Sequence, residues 1–333
     1  YRWPAMGVLR MHSSSKISPE VLADGLFRLQ FPAMGTHCKI LYAANSMVAA
    51  DIFRKHALDW VHRFEARYSR FRDDSLICRI NDAAGRNPVV IDEIDIHLFD
   101  LCDTLHFLTE GIFDPTTLPL SRLWDFKAEN PQIPSKSAIS EALSKIGWKK
   151  VHRENHSIFL PETGMGLDFG GFGKEYAVDR VTELAREHGL DDFLIDFGGD
   201  VFAEGSPPDA TAWRVGLEDP GKQGQAKRIF SVSGMAVATS GNYRRFFEKN
   251  GKRYGHLIDH RTGFPTSNNC LSATVISRSC LEAGVLSTCA LLDGTDRGLA
   301  RIDRFFGAEG CIQNRNGVEW TKGIYEYLHD TRN

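Results

Sequence analysis

The sequence lacks the signatures of several protein classes. Among its 333 residues, no apolar run approaches the ~18 residues of a membrane span, so no transmembrane segment is predicted. Lys and Arg number 40 against 43 Asp and Glu, and the net charge of -3 shows no basic excess of the kind that binds nucleic acid. No internal repeat, low-complexity tract or domain-splitting linker is visible. With 42% apolar and 25% charged residues, the chain is predicted to be a soluble globular protein.

Cysteine is present but shows no pairing pattern. The seven cysteines are scattered and include no CxxC pair: Cys38, Cys78, Cys102, Cys270, Cys280, Cys289 and Cys311. This favours reduced thiols over a disulfide framework or a zinc site, and it predicts a cytoplasmic location. No signal peptide is visible. We expect residues 1–24 to be an N-terminal extension or an expression-derived segment, and residues 25–330 to form a single domain.

The spacing of apolar residues predicts a mixture of helices and strands. Apolar stripes predict helices over Met47–Tyr68 and Glu93–Leu108. Alternating apolar residues on both sides of Ala33–Thr36 predict two strands joined by a tight turn. The second half is predicted to be rich in strands, with a strand at Ile229–Ala238, a turn at Thr239–Tyr243, a strand at Ala273–Ile276 and a final helical piece at Leu281–Leu292.

The stretch 164–200 is the most informative part of the chain. A short apolar segment ends at Asp168, a glycine-rich turn (170–173) follows, and a predicted helix then runs to a C-cap position at Gly189. A buried strand leads to a second glycine turn at 196–200. Glycine lets a backbone approach a ligand closely, and a helix start offers free N–H groups to a phosphate. The alternative is that these are ordinary turn glycines, and the first turn taken alone favours that alternative.

Two loops are open to two interpretations. The Asp-Pro step within Gly111–Thr117 favours a turn whose Asp and Thr side chains hold its own backbone, and from this segment alone that is preferred over a ligand role. The aromatic and Arg residues of Tyr68–Ser75 would suit a binding rim, although composition favours a solvated loop.

Many short motifs follow one another in a recognisable order and spacing. They are Ala33–Thr36, Ser69–Ser75, Phe113–Thr116, Leu167–Gly171, Tyr176–Asp179, Gly198–Asp200, Trp213, Ser240–Gly241, His256–Asp259, Arg261–Gly263 and Leu286–Thr288. Together they resemble the ApbE family of flavin transferases, the FAD:protein FMN transferases. The resemblance covers most of the chain.

This resemblance implies a fold and an activity. The fold is one compact α+β unit of T-fold-like type, in which helices cover mixed and antiparallel sheets and a flavin cleft lies between two halves. Members of the family cut the pyrophosphate of FAD in the presence of Mg²⁺. They attach FMN through a phosphoester to a Thr or Ser of an acceptor flavoprotein and release AMP.

The resemblance also implies individual site residues. His256 stands at the position of the base that activates the acceptor hydroxyl, a role that suits histidine near neutral pH. Without the family, a strand histidine satisfied by a neighbour would be the preferred interpretation. Thr288 and the Gly173 carbonyl stand at metal-binding positions. The residues implied to line the FAD site are Met34, Phe71, Ile112, Phe113, Asp114, Asp168, Gly170, Lys174 and Ile258.

Three positions depart from the family pattern. Gly284 stands where the family has a metal-binding Asp, which puts Mg²⁺ in doubt because that cation usually relies on one or two carboxylates. Glu282 lies about 200° away from position 284 on a helix and is not expected to take over. Glu175 replaces a common glycine and is expected to bring bulk and charge near the phosphate site. His260 replaces a usual proline.

These features leave two hypotheses. In the first, the protein is an active transferase with a weakened or rebuilt metal site. In the second, it is a divergent relative that binds flavin without transfer or catalyses a different reaction on the same scaffold. His256, Asp168 and Thr288 favour the first, and Gly284 and Glu175 favour the second. We expect the transferase.

Overall fold

The computed structural model of this protein describes residues 17–22, 25–126, 128–243 and 245–329, with the backbone alone at residue 223. The helices in this part of the chain are α1 (Met47–Tyr68), α2 (Leu76–Asp82), α3 (Glu93–Leu108), α4 (Leu118–Leu123), α5 (Lys136–Ser144), α6 (Gly173–Glu187), α7 (Cys280–Asp293) and α8 (Thr295–Asp303). The strands are β1 (Glu20–Val21), β2 (Leu26–Ala33), β3 (Thr36–Ala43), β4 (Val89–Val90), β5 (His152–Glu154), β6 (Ser157–Phe159), β7 (Phe193–Phe197), β8 (Asp200–Glu204), β9 (Trp213–Asp219), β10 (Lys222–Val232), β11 (Met235–Gly241), β12 (Phe246–Lys249), β13 (Lys252–Gly255), β14 (Ile258–Asp259), β15 (Phe264–Pro265), β16 (Cys270–Ser277), β17 (Glu309–Asn314) and β18 (Gly317–Trp320).

A nine-stranded sheet organises the molecule. Its strand order is β1-β2-β3-β7-β8-β11-β16-β17-β18, and every neighbouring pair is antiparallel. A smaller sheet, β4-β6-β5, and three two-stranded ribbons complete the strands. The predicted α+β class with antiparallel sheets is therefore confirmed.

Alternating side chains give the large sheet two apolar faces. In β7, Phe193, Ile195 and Phe197 point into a core shared with α1, α6 and α7. Leu194 points to the opposite face, where it joins Trp213 and Phe230 of the β9–β10 hairpin. This is the two-residue period of a strand that is covered on both sides.

A second core lies beside the first. It collects side chains from α2 and α3, from the segment before α6, and from one face of α7. Met34, Trp60 and Leu257 pack against both cores. The two halves of the molecule therefore meet beside these three residues.

The structure confirms some predicted elements and corrects others. The bounds of α1 and α3 agree with the prediction, and Ala33–Thr36 is the turn between β2 and β3. The predicted strand at Ile229–Ala238 is two strands, because Gly234 adopts a left-handed φ of 67° and turns the chain between β10 and β11. The predicted turn at Thr239–Tyr243 is wrong, since β11 continues to Gly241 in register with β16.

The ends of the chain also differ from expectation. The predicted last helix, α7, is followed by α8, β17 and β18. Within the supposed extension, residues 20–21 form β1 on the edge of the sheet, and Ile17 packs against the main core. The rest of that extension lies outside the described residues. None of the described helices combines the length and the apolar character needed to cross a membrane.

Candidate active site

Two hairpin turns lie side by side at one end of the sheet. Met34 and Gly35 turn β2 into β3 with φ of 50° and 70°, and Gly198 and Gly199 turn β7 into β8 with φ of 72° and 96°. Because β3 pairs with β7, both turns lie at the same edge, where a Cβ at Gly198 would overlap Thr36. Only glycine fits that position. The two turns therefore lie against each other at this edge of the sheet.

A carboxylate on α1 holds the first turn. Oε1 of Glu65 accepts a hydrogen bond from the backbone N–H of Met34 at 2.8 Å. A non-glycine residue with positive φ is uncommon and needs such support. Glu65 is not among the predicted site residues, because nothing in an amphipathic helix marks one glutamate as the partner of a distant turn.

Lys174 ties the start of α6 to the second turn. Its Nζ donates to Oδ2 of Asp200 at 2.7 Å and to Oε1 of Glu175 at 3.3 Å. Burial acts to lower the pKa of Lys174, but the two carboxylates outweigh it and raise that pKa. Lys174 is therefore a fixed positive charge at the helix start.

Glu175 lies beside Lys174 at the start of α6, with its side chain turned towards α7. Its side chain is 9% exposed and packs between α6 and α7, against Gly284. Burial raises the pKa of the Glu175 carboxyl, Lys174 opposes that rise and Asp200 adds to it. Oε2 of Glu175 is buried and has no hydrogen-bond partner within the described ranges.

His256 follows directly after β13. Its backbone N–H donates to the Arg245 carbonyl at 2.9 Å, which fixes the main chain, while the ring atom Nδ1 is buried with no partner in the part of the chain that the structure describes. Burial lowers the pKa of His256, and the positive charges of Arg245 and Lys174 lower it further. The imidazole is therefore neutral at pH 7. Its neighbour Ile258 lies in β14, paired with Pro265.

Three hydroxyl groups cluster between β11 and α7. Oγ of Ser240 lies 2.8 Å from Oγ of Ser287 and 2.8 Å from Oγ1 of Thr288. These contacts explain why the polar Ser240 is accommodated within a strand rather than in the predicted turn. Thr288 is one helical turn beyond Gly284, so both positions face the same side of α7.

Asp168 connects the first glycine turn to an aromatic side chain. Its Oδ2 pairs with Nε of Arg70 at 2.9 Å, and its Oδ1 accepts from the Gly170 N–H at 2.9 Å. The guanidinium of Arg70 stacks over the ring of Phe71 at 4.2 Å from its centroid. The side chain of Phe71 is 73% exposed. This exposure is compatible with the predicted contact between its ring and a ligand.

The carboxylate of Asp114 holds its own loop. It accepts hydrogen bonds from the backbone N–H groups of Thr116 at 2.8 Å and of Trp148 at 2.9 Å, and the residue is buried. The interpretation that Asp114 holds the local backbone is confirmed, whereas the Thr116 hydroxyl accepts from the Gly147 N–H at 2.8 Å, outside the segment. A direct contact of Asp114 with FAD stays a prediction.

The neighbours of Asp114 are fixed from two sides. Phe113 meets Phe172 edge to face at 5.4 Å between centroids, and Ile112 is buried. Nε2 of His260, the residue in place of the usual proline, lies 3.0 Å from the Gly111 carbonyl and 3.1 Å from that of Ile112. His260 thereby joins the 111–113 loop to the segment that carries His256 and Ile258.

Asp179 is a positioning residue whose role the sequence did not reveal. From α6 it accepts hydrogen bonds at the start of α7, from the N–H of Cys280 at 2.6 Å and from that of Leu281 at 2.9 Å. This carboxylate fixes α7 on α6 and sets the face that carries Gly284 and Thr288.

The comparisons with known proteins agree on one family. The ApbE family model matches residues 34–312. The chain is 30% identical over 299 residues to a FAD:protein FMN transferase of Treponema pallidum, covering 84% of this chain and 82% of the relative. A protein of the same name from Vibrio cholerae is 29% identical over 276 residues, covering 82% and 83%.

Solved structures give the same result. The ApbE protein of Thermotoga maritima superimposes with a TM-score of 0.83 at 28% identity, covering 92% of this chain and 100% of the other. The apo form of the flavinyl transferase ApbE from Pseudomonas stutzeri superimposes with a TM-score of 0.81 at 28% identity, covering 93% and 98%.

Proposed function

Because the chain belongs to the ApbE family, we infer that it is a FAD:protein FMN transferase. The observation that carries this inference is the alignment of relatives bearing that name over most of the chain. FAD is the substrate, and the acceptor is a flavoprotein that offers a Thr or Ser hydroxyl. A cytoplasmic location stays a prediction based on the seven free cysteines.

His256 is the base of the proposed reaction. Its neutral imidazole takes the proton of the acceptor hydroxyl, whose oxygen then bonds to the phosphorus of the FMN half of FAD. The bond from that phosphorus to the bridging oxygen breaks, and the bridging oxygen leaves with AMP. A buried ring nitrogen with no partner among the described residues suits this role, since no internal hydrogen bond must be broken first.

The start of α6 is the proposed pyrophosphate site. The N-cap residue is Phe172, whose side chain cannot accept from the first-turn N–H groups. The Gly173 N–H donates to the Phe169 carbonyl at 2.8 Å, so the anion would bind to the N–H groups that follow it. Lys174 adds a fixed ammonium beside it. Phe71, Met34 and Ile258 lie on the surrounding segments and would contact the flavin.

The residues present fit a hard cation near Thr288. Within the described ranges no three His, Cys, Asp or Glu side chains converge as a metal site, so the cation would depend on few protein ligands. The Thr288 hydroxyl, the Gly173 carbonyl and a buried carboxylate oxygen without a hydrogen-bond partner are all oxygen donors, which Mg²⁺ prefers. When bound, Mg²⁺ would offset the charge of the pyrophosphate and of the departing AMP.

A transfer assay on two proteins tests the function. The wild type and His256→Ala are each incubated with FAD, Mg²⁺ and a flavoprotein acceptor of the family, and mass spectrometry follows the FMN adduct. We expect the adduct with the wild type alone, while FAD binding stays within about threefold in both, because loss of a general base costs about 10²–10⁴ in rate and not affinity. Bound FAD that stays intact with the wild type would instead support a flavin-binding relative.

A further inference from the structure

Glu175 and Gly284 occupy one space between α6 and α7. A Cβ added at Gly284 would overlap Cγ of Glu175 and would lie 3.1 Å from both its Cδ and its Oε1. No side chain at position 284, aspartate included, fits while Glu175 holds this conformation. The two departures from the family pattern are therefore coupled, because Glu175 can adopt this position only when residue 284 is glycine.

The Glu175 carboxylate has one oxygen engaged and one unused. Oε1 lies 3.3 Å from Nζ of Lys174, whereas Oε2 is buried without a hydrogen-bond partner in the described part of the chain. Leaving a buried carboxylate oxygen unpaired is costly, and such groups ordinarily find a donor or a cation. This oxygen is therefore available to a ligand that the described residues do not supply.

Oxygen donors flank this carboxylate. Gly284 and Thr288 lie four residues apart on α7, about 6 Å along the helix axis and on the same face. A carboxylate seated on Gly284 therefore lies one turn from the Thr288 hydroxyl. Gly173 begins the same helix turn that carries Glu175.

We propose that Glu175 is a ligand of Mg²⁺ and replaces, from α6, the aspartate that the family carries on α7 at position 284. The exchange removes a carboxylate from one helix and supplies one from the facing helix. Thr288 completes the protein's contribution, and the phosphates of FAD and water supply the other ligands. The proposal deepens the proposed function, on which it rests for the identity of the phosphate ligand.

Four proteins form the test, and all carry His256→Ala so that FAD is not consumed. They are the parent, which has no other change, Glu175→Gly, Gly284→Asp and the double variant Glu175→Gly/Gly284→Asp. Mn²⁺ serves as the probe for Mg²⁺, and electron paramagnetic resonance measures free Mn²⁺ with FAD present. We expect Glu175→Gly to weaken Mn²⁺ binding at least about tenfold, since even partners of metal ligands cost 10–100-fold. The double variant should recover to within about threefold of the parent.

Two further variants control for folding and for nonspecific charge. Glu175→Gln keeps the volume of the side chain and should lose Mn²⁺ binding like Glu175→Gly. Glu282→Ala removes the acidic side chain on α7 that faces away, and Mn²⁺ binding should stay unchanged.

Gly284→Asp alone should lower the melting temperature, because its Cβ collides with Glu175.

The outcomes separate this proposal from the function itself. Unchanged Mn²⁺ affinity in Glu175→Gly and Glu175→Gln, or no Mn²⁺ binding by the parent, would overturn the ligand role even if the wild type transfers FMN. Loss and recovery of Mn²⁺ binding as expected, with no transfer by the wild type, would uphold the ligand and refute the transferase.

Discussion

At the scale of the residue, buried charge determines what each group can do. Lys174 has two carboxylate partners and stays positive, while His256 lies near that positive charge and stays neutral. A base with a lowered pKa keeps its proton-accepting form into mildly acidic solution. In the proposed mechanism, Lys174 binds phosphate and His256 accepts a proton.

The transfer rate should reflect the pKa of His256. Because burial, Arg245 and Lys174 lower that pKa below its usual 6.5, the rate should rise with pH through a midpoint below 6.5 and then level off. Arg245→Ala removes one positive neighbour, so the midpoint should move to higher pH. Single-turnover rates between pH 5 and 8 measure it, and a midpoint that stays in place would contradict the assignment.

At the scale of the element, single carboxylates join helices that are distant in sequence. Asp95 of α3 accepts from Nε of Arg67 at 2.7 Å and from the Tyr68 hydroxyl at 2.8 Å, both at the end of α1. Asp179 of α6 accepts from two backbone N–H groups at the start of α7 and so joins these two helices. These contacts hold the helices that carry Glu65, Glu175 and Thr288.

Replacing Asp95 should destabilise the fold in a pH-dependent way. Burial acts to raise the pKa of Asp95, but hydrogen bonds from Arg67, the Asp92 N–H and Tyr68 outweigh it and lower that pKa. A carboxyl with a lowered folded pKa adds stability above its unfolded pKa of about 3.9, and this stability is lost as pH falls through the folded value.

Asp95→Asn should therefore cost about 2 kcal/mol of unfolding free energy at pH 7, below the usual range for a buried pair because Arg67 is partly exposed. The difference from the wild type should shrink in solutions below about pH 4. Urea unfolding at both pH values measures it, and an equal loss at both would contradict the charge-based account.

Removing the carboxylate of Asp179 should loosen α7 from α6. Asp179→Ala leaves the N–H groups of Cys280 and Leu281 without their acceptor, and we expect a loss of about 1–2 kcal/mol. Glu183→Ala on the same helix removes only an exposed ion pair with Arg180 and should change stability by less than about 0.5 kcal/mol. Equal effects of the two variants in urea unfolding would refute the positioning role.

At the scale of the whole molecule, the sequence predicted what depends on local pattern. The apolar stripes of α1 and α3 indicated both helices with correct bounds, because each buries one face for several turns. The short helix α8 was not predicted. In the structure Gly298 allows close packing, as a Cβ there would overlap the Ala290 carbonyl of α7.

The candidate site could be predicted only in part. Ordered motifs indicated the family and brought His256, Asp168 and Lys174 into consideration. They could not show that Glu175 and Gly284 fill the same space, because this depends on how α6 and α7 pack and on the contact that Asp179 makes between them. Long-range complementarity of this kind has no signal in local sequence.

The ratio of two products distinguishes transfer from binding and from hydrolysis. The wild type is incubated with FAD, Mg²⁺ and acceptor flavoprotein, and AMP and acceptor-bound flavin are quantified over the same time course. Transfer predicts that both appear in equal amounts, with the flavin on a Thr or Ser of the acceptor. AMP accompanied by free FMN, or no AMP while FAD stays bound, would contradict the account.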